Sequence, residues 1–189
     1  MRIVGGQFRG RLLAAPAHEG TRPTSDRARE AMFNILAHGI PGFDLAGARV
    51  LDLFAGTGAL GLEALSRGAA FGLFVEQEAE ARALIRRNVE VLGLTGITKI
   101  FRRDATELGP AGRYSGFTLA FLDPPYGHGL AEQALASAAD GGWLASGAIA
   151  VIEERKGTTI ALPAGFGALD QRAWGDTQAL FTRFTGGQS

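Results

Sequence analysis

The chain contains no cysteine. That excludes disulfides, thiolate nucleophiles, Cys-ligated zinc and iron–sulfur clusters. Its three histidines, His18, His38 and His128, have no metal-ligand spacing, so no metal is expected. No single sign of charge dominates: 19 basic residues face 19 acidic ones, a balance unlike that of a purely arm-like nucleic-acid binder. Lysine is nearly absent, Lys99 and Lys156 being the only two, and the other 17 basic residues are arginine. Genome composition produces such a bias, although guanidinium forks also suit phosphate and base recognition. No apolar run approaches the ~18 residues that would span a bilayer. The opening Met1-Arg2-Ile3-Val4-Gly5-Gly6 lacks the apolar stretch of a secretory signal, so a soluble cytoplasmic protein is expected. A phosphate-binding G-x-x-x-x-G-K-[ST] loop is missing, since Gly5 to Gly10 runs on into Arg11 and Leu12. So is a G-x-S-x-G nucleophile elbow.

What remains is the composition of an ordinary globular protein, 46% hydrophobic and 20% charged over 189 residues. That length suits one compact fold of ~100–200 residues. Glycine is abundant, 28 residues, and it gathers in turns rather than repeats. Two stretches are distinguished. Residues 1–45 form a basic extension, and residues 46–189 carry an alternation of strands and helices. Within residues 1–25, Arg2, Arg9, Arg11 and Arg22 face a single acid, Glu19. A hairpin about Arg9-Gly10 is expected there, then a loop over 16–23. Thr24 or Ser25 should cap a helix running to His38, with Ala28, Met32, Ile35 and Leu36 on its apolar face.

From residue 49 the pattern predicts strands at 50–54, 72–75, 97–101, 117–122 and 148–153. Helices are expected at 59–66, 78–92 and 130–139. Ala81, Leu84, Ile85, Val89 and Leu92 form the clearest apolar stripe. Apolar strands alternating with helices indicate an α/β, Rossmann-like parallel sheet covered on both faces. The tail, 168–173 and 178–184 joined through Gly175-Asp176, should add an antiparallel hairpin at its edge.

The chemistry sits where the strands end. Asp52-Leu53-Phe54-Ala55-Gly56-Thr57-Gly58-Ala59-Leu60-Gly61 contains G-x-G-x-x-G at a strand-to-helix turn. Glycines there let a ligand approach the backbone and the free N–H groups of a helix start. Glu76 follows at the spacing of a ribose-binding acid. Taken alone, the turn suits NAD or another adenosine-bearing ligand. Asp52 shifts the balance, because a carboxylate just before the turn repels a pyrophosphate and attracts an α-ammonium. S-adenosylmethionine has that ammonium and no phosphate. Asp104, at the end of the third strand, can accept from an adenine amine.

The second motif is Asp123-Pro124-Pro125-Tyr126. Two prolines fix the backbone and remove two N–H donors, so the segment presents acceptors only. An exocyclic base amine carries two N–H donors and a delocalised lone pair. Acceptors on those donors can aim it at a methyl sulfonium, while Tyr126 offers a stacking face worth ~1–3 kcal/mol in single-strand sites.

These segments resemble a known family. Met1-Arg-Ile-Val-Gly-Gly-Gln-Phe-Arg-Gly-Arg, Arg22-Pro-Thr-Ser-Asp-Arg, the Asp52 turn and Asp123-Pro-Pro-Tyr together look like the RsmD-type bacterial small-subunit (16S) rRNA guanine-N2 methyltransferases. The resemblance implies direct methyl transfer from S-adenosylmethionine to a guanosine N2 amine, in rRNA or an assembling small subunit. With the residue reading, it places the cofactor on Asp52, Phe54, Gly56, Gly58, Glu76, Gln77, Asp104 and Ala105. Catalysis falls to Asp123, Pro124 and Tyr126, and RNA contact to Phe8, Arg9, Arg11, Arg22 and Arg27. Nothing in the sequence demands more than a monomer. From the residues alone, an adenine-N6 methyltransferase, an NAD-dependent oxidoreductase and a non-catalytic RNA-binding module stay open.

Overall fold

A seven-stranded sheet centres the computed structural model, which describes residues 1–16 and 25–186. Its strands are β1 (Arg49–Leu53), β2 (Phe71–Val75), β3 (Thr98–Phe101), β4 (Phe117–Leu122), β5 (Leu144–Arg155), β6 (Phe166–Trp174) and β7 (Thr177–Phe184). Four α-helices accompany them: α1 (Asp26–His38), α2 (Ala59–Ser66), α3 (Ala79–Val91) and α4 (Leu130–Asp140). The strand order is β3-β2-β1-β4-β5-β7-β6. Strands β1 to β5 run parallel, and β7 enters antiparallel between β5 and the edge strand β6.

Alternation along each strand builds two cores. Val50, Phe74, Leu119, Phe121 and Val151 face Met32, Phe33, Leu36, Leu62, Leu65, Ile85 and Val89. Leu51, Leu53, Leu73, Val75, Ala120, Leu122 and Ile152 face Leu135, Ala138 and Trp143 on the other side. Every residue of β1 after Arg49 is buried, as a central parallel strand requires. Asp52 shares the face of Val50, so its carboxyl points beneath α2. No helix among the described residues is long and apolar enough to cross a membrane.

The N-terminal arm departs from the expected hairpin. A single bridge joins Arg2 to Leu12. It is supported by Ile3 N–H to Arg11 O at 2.9 Å and Leu13 N–H to Met1 O at 3.0 Å. No longer ladder forms, because the intervening backbone bonds to α2 instead. Val4 N–H and Gly5 N–H donate to the Glu63 carboxylate at 2.9 and 2.8 Å, and Gln7 N–H to Ser66 O at 2.8 Å. Phe8 N–H reaches Ser66 Oγ at 3.0 Å. A Cβ on Gly6, whose φ is +76°, would lie 2.0 Å from the Ser66 carbonyl oxygen. Gly6 therefore permits a close backbone approach that no other residue allows. Ile3 and Leu13 join the same apolar cluster as α1 and the sheet.

Ser25, not Thr24, caps α1, its side chain accepting from Ala28 N–H at 3.1 Å. Thr24 and residues 17–23 of the loop expected over 16–23, Arg22 among them, lie outside the described residues. Phe33 and Arg29 are buried on α1 while Ile35 is half-buried, so the helix turns a broader face inward than the stripe implies.

Candidate active site

The sheet reverses its winding between β1 and β4, the switch point at which open α/β sheets bind ligands. Leu53 of β1 aligns with Leu122 of β4. The glycine turn after the first strand and Asp123-Pro-Pro-Tyr126 after the other thus stand side by side.

The three fingerprint glycines differ in role. A Cβ on Gly56 (φ +56°) would meet nothing within 4 Å, so this position faces open space. One on Gly58 (φ +79°) would touch Phe74 at 3.3 Å and Ile85 at 3.4 Å, which points it inward, towards the core. One on Gly61 would strike Phe74 at 2.5 Å and Asp52 Oδ2 at 3.0 Å, so that glycine lets α2 pack onto the strand. Just before the turn, Phe54 holds φ +57°, the one non-glycine residue with positive φ among those described. Such backbone strain persists only where its surroundings fix it.

Glu76 follows β2 and clamps the turn: its Oε2 accepts from Gly56 N–H at 2.8 Å and its Oε1 from Glu78 N–H at 2.9 Å. Asp104 caps a 3-10 turn, its Oδ1 accepting from Thr106 N–H at 2.8 Å and Thr106 Oγ1 at 2.7 Å. The Thr106 bonds, with a smaller one from Gln77, hold its carboxyl below the usual carboxylate range, so it is an anionic acceptor at neutral pH. Gln77 is exposed beside them, and Ala105 is buried behind.

Asp52 sits differently from the expected ligand-facing acid. It is 2% exposed, and its Oδ2 accepts from Gly61 N–H at 2.9 Å. Burial pushes its carboxyl well above the ordinary range. The Gly61 bond opposes that shift, and the charges of Asp123 and Glu76 add to it. It therefore supports the turn from beneath, and when ionised its charge acts on a ligand across the turn.

Asp123 is exposed just past the end of β4, next to buried Pro124. Partial desolvation, and then the charges of Glu153 and Glu154, push its pKa above the usual value. Both glutamates are buried near the end of β5. The pairing of Leu122 with Ile152 sets Asp123 beside Glu153. Glu154 braces the loop, its Oε2 accepting from Gly127 N–H at 3.4 Å. Tyr126 is half-buried, and its hydroxyl lies 3.1 Å from Thr177 Oγ1 at the start of β7. Burial chiefly raises the tyrosine's pKa.

The expected RNA residues separate. Arg9, Arg11 and Arg27 are exposed, whereas the Phe8 ring is half-buried against the apolar cluster. Arg29, on α1, is 1% exposed. It pairs with Asp26 at 2.9 Å and lies 3.7 Å from Glu63, which Arg67 holds at 2.8 Å. It is a packing residue of the arm.

The chain matches the family described as conserved hypothetical protein 95 over residues 1–183. It is 40% identical over 153 residues to the Ribosomal RNA small subunit methyltransferase D of Escherichia coli K12, covering 81% of this chain and 74% of that one. The same-named protein of Haemophilus influenzae is 32% identical over 177 residues, covering 93% of this chain and 89% of that one. The solved yhhF chain of Escherichia coli superposes with a TM-score of 0.82 at 32% identity, covering 100% of this chain and 99% of that one.

Proposed function

Because the chain belongs to the conserved hypothetical protein 95 family, whose relatives include ribosomal RNA small subunit methyltransferase D, we propose that it methylates small-subunit ribosomal RNA from S-adenosylmethionine, at the N2 amine of a guanosine. One observation carries the chemistry. An acceptor-only carboxylate, Asp123, stands on the strand next to a glycine turn whose first glycine faces open space.

The open side of Gly56, the Glu76 carboxylate and the anionic Asp104 suit an adenosine with a free ribose diol. Gln77, Ala105 and Phe54 complete that wall. S-adenosylmethionine supplies an electrophilic methyl on a sulfonium when bound. The chain supplies geometry. Asp123 accepts one amine N–H, a carbonyl of the Pro124-Pro125 segment can accept the other, and Tyr126, anchored by Thr177, stacks on the base. Holding the reacting atoms in line provides most of the acceleration. Attack makes the amine acidic, and Asp123, with its raised proton affinity, takes the released proton.

The acids beside Asp123 favour guanine over adenine. Guanine's N2 amine lies between the N1–H donor and the N3 lone pair, whereas adenine's N6 amine lies between lone pairs at N1 and N7. The negative charges of Asp123, Glu153 and Glu154 attract guanine's N1–H and disfavour an edge that carries lone pairs on both sides of its amine. RNA reaches the site along Arg9, Arg11 and Arg27. In the test, purified protein, S-adenosylmethionine and small-subunit rRNA or subunit particles are incubated, digested and analysed by nucleoside mass. N2-methylguanosine is expected. N6-methyladenosine would move the reaction to adenine, and no methylated nucleoside would overturn the reading.

A further inference from the structure

Asn88 interrupts the apolar stripe of α3 between Ile85 and Val89, and it is 2% exposed. Its Oδ1 accepts from Ala14 N–H at 2.6 Å. Its Nδ2 donates to Ala14 O at 3.1 Å and to Thr57 O at 3.0 Å. Ala14 follows Leu13, the last core residue of the arm that bears Arg9 and Arg11. Thr57 lies between Gly56 and Gly58. One buried amide thus clamps the arm on one side and the glycine turn on the other, with both N–H donors and the oxygen engaged. A second link joins the same two parts, Thr57 Oγ1 lying 3.5 Å from Met1 Sδ. A shift of either part leaves a buried polar group without its partner, so each part favours the placement that suits the other.

We propose that Asn88 is a positioning residue that couples cofactor binding at the glycine turn to RNA binding on the N-terminal arm. The proposal rests on the methyltransferase reading above. A ligand that fixes the turn fixes Thr57, and through Asn88 it fixes Ala14 and the arm. By linkage, RNA on the arm tightens cofactor binding by the same factor.

The test measures the affinity of small-subunit rRNA transcript with and without saturating S-adenosylhomocysteine. Wild-type protein should bind RNA about fivefold or more tightly with the ligand present. Asn88→Ala should bring that ratio near one while both ligands still bind singly. A merely structural asparagine would lower the melting temperature and leave the ratio unchanged, and that result overturns the proposal. So does a wild-type ratio near one with both ligands bound, an outcome that leaves the methyltransferase reading intact. Wild-type protein that binds no S-adenosylhomocysteine overturns both. If Asn88→Ala does not fold, Asn88→Asp keeps the acceptor for Ala14 N–H and drops both donors. If neither variant folds, amide exchange in the wild type decides. S-adenosylhomocysteine should slow exchange at Ala14 and Gly10, and unchanged rates there overturn the coupling.

Discussion

Glu76 Oε2 accepts the Gly56 N–H at 2.8 Å, so the acid just past β2 holds the turn that follows β1. In the proposed complex the same carboxylate also receives the ribose hydroxyls. Glu76→Ala removes both functions. Hydrogen bonds to a charged group contribute about 1.5–3 kcal/mol, so cofactor affinity should fall roughly 10- to 100-fold. Glu76→Gln keeps one oxygen acceptor and should lose less. Calorimetry with S-adenosylhomocysteine separates the two variants, and equal affinities in Glu76→Ala and wild type would remove Glu76 from the site.

Asp52 predicts a conflict between stability and binding. Its carboxyl is raised by burial, so the folded state holds its proton more tightly than the unfolded chain does. Stability therefore falls as pH rises from the unfolded value, about 3.9, up through the folded one. Asp52→Asn keeps an oxygen for Gly61 N–H without burying a charge. It should melt higher than wild type at pH 7, with the gap closing towards pH 4. Cofactor affinity should drop as the field that attracts an α-ammonium is lost. Melting curves over pH 4–8 measure the first effect, and a variant that melts lower at pH 7 would contradict it.

At Asp123 the ionised carboxylate is the active form, so the rate should rise with pH through a limb displaced upward from the usual carboxylate range. Glu153→Gln removes a neighbouring negative charge and should move that limb to lower pH. Asp123→Ala should cost on the order of a hundredfold or more in single-turnover rate and leave cofactor affinity largely intact. An unmoved acid limb in Glu153→Gln would mean that the two carboxyls do not interact. A near-wild-type rate in Asp123→Ala would remove its amine-holding role.

The strands and the order of motifs were legible because central parallel strands are apolar almost throughout and end in polar or glycine residues. Val50 to Phe54, apolar but for Asp52, runs into the glycine turn, and Phe117 to Leu122, apolar but for Thr118, runs into Asp123. The contacts of the arm were not legible. Glu63 and Ser66 lie inside an apolar helix, and a sequence cannot say that they receive the backbone of residues 4–8. Nothing in the sequence sets Arg29 apart from a surface cation, because Glu63, 34 residues away, meets it only in the fold. Asn88 did leave a trace, a polar residue on the inward side of the α3 stripe. Glu153 and Glu154 left another, a pair of acids ending an apolar strand. Both signals are weak, because a buried polar residue finds its partner across the fold rather than along the chain.

The arm's arginines should divide by exposure. Arg9 and Arg11 project into solvent, and each phosphate contact contributes ~0.7–0.9 to the slope of log affinity against log salt. Arg9→Ala with Arg11→Ala should therefore weaken rRNA binding at low salt and flatten the slope by about 1.4–1.8 units. Cofactor affinity in the absence of RNA, and the melting temperature, should stay near wild type. Arg29 carries the same charge but is buried against Asp26 and Glu63. Removing one partner of a buried pair costs about 3–5 kcal/mol, so Arg29→Ala should lower the melting temperature sharply. Below that temperature its salt slope should match wild type, because Arg29 meets no phosphate. Salt titrations of the two variants decide the matter. If Arg29→Ala flattens the slope and the double variant does not, the RNA path runs along α1 and not along the arm.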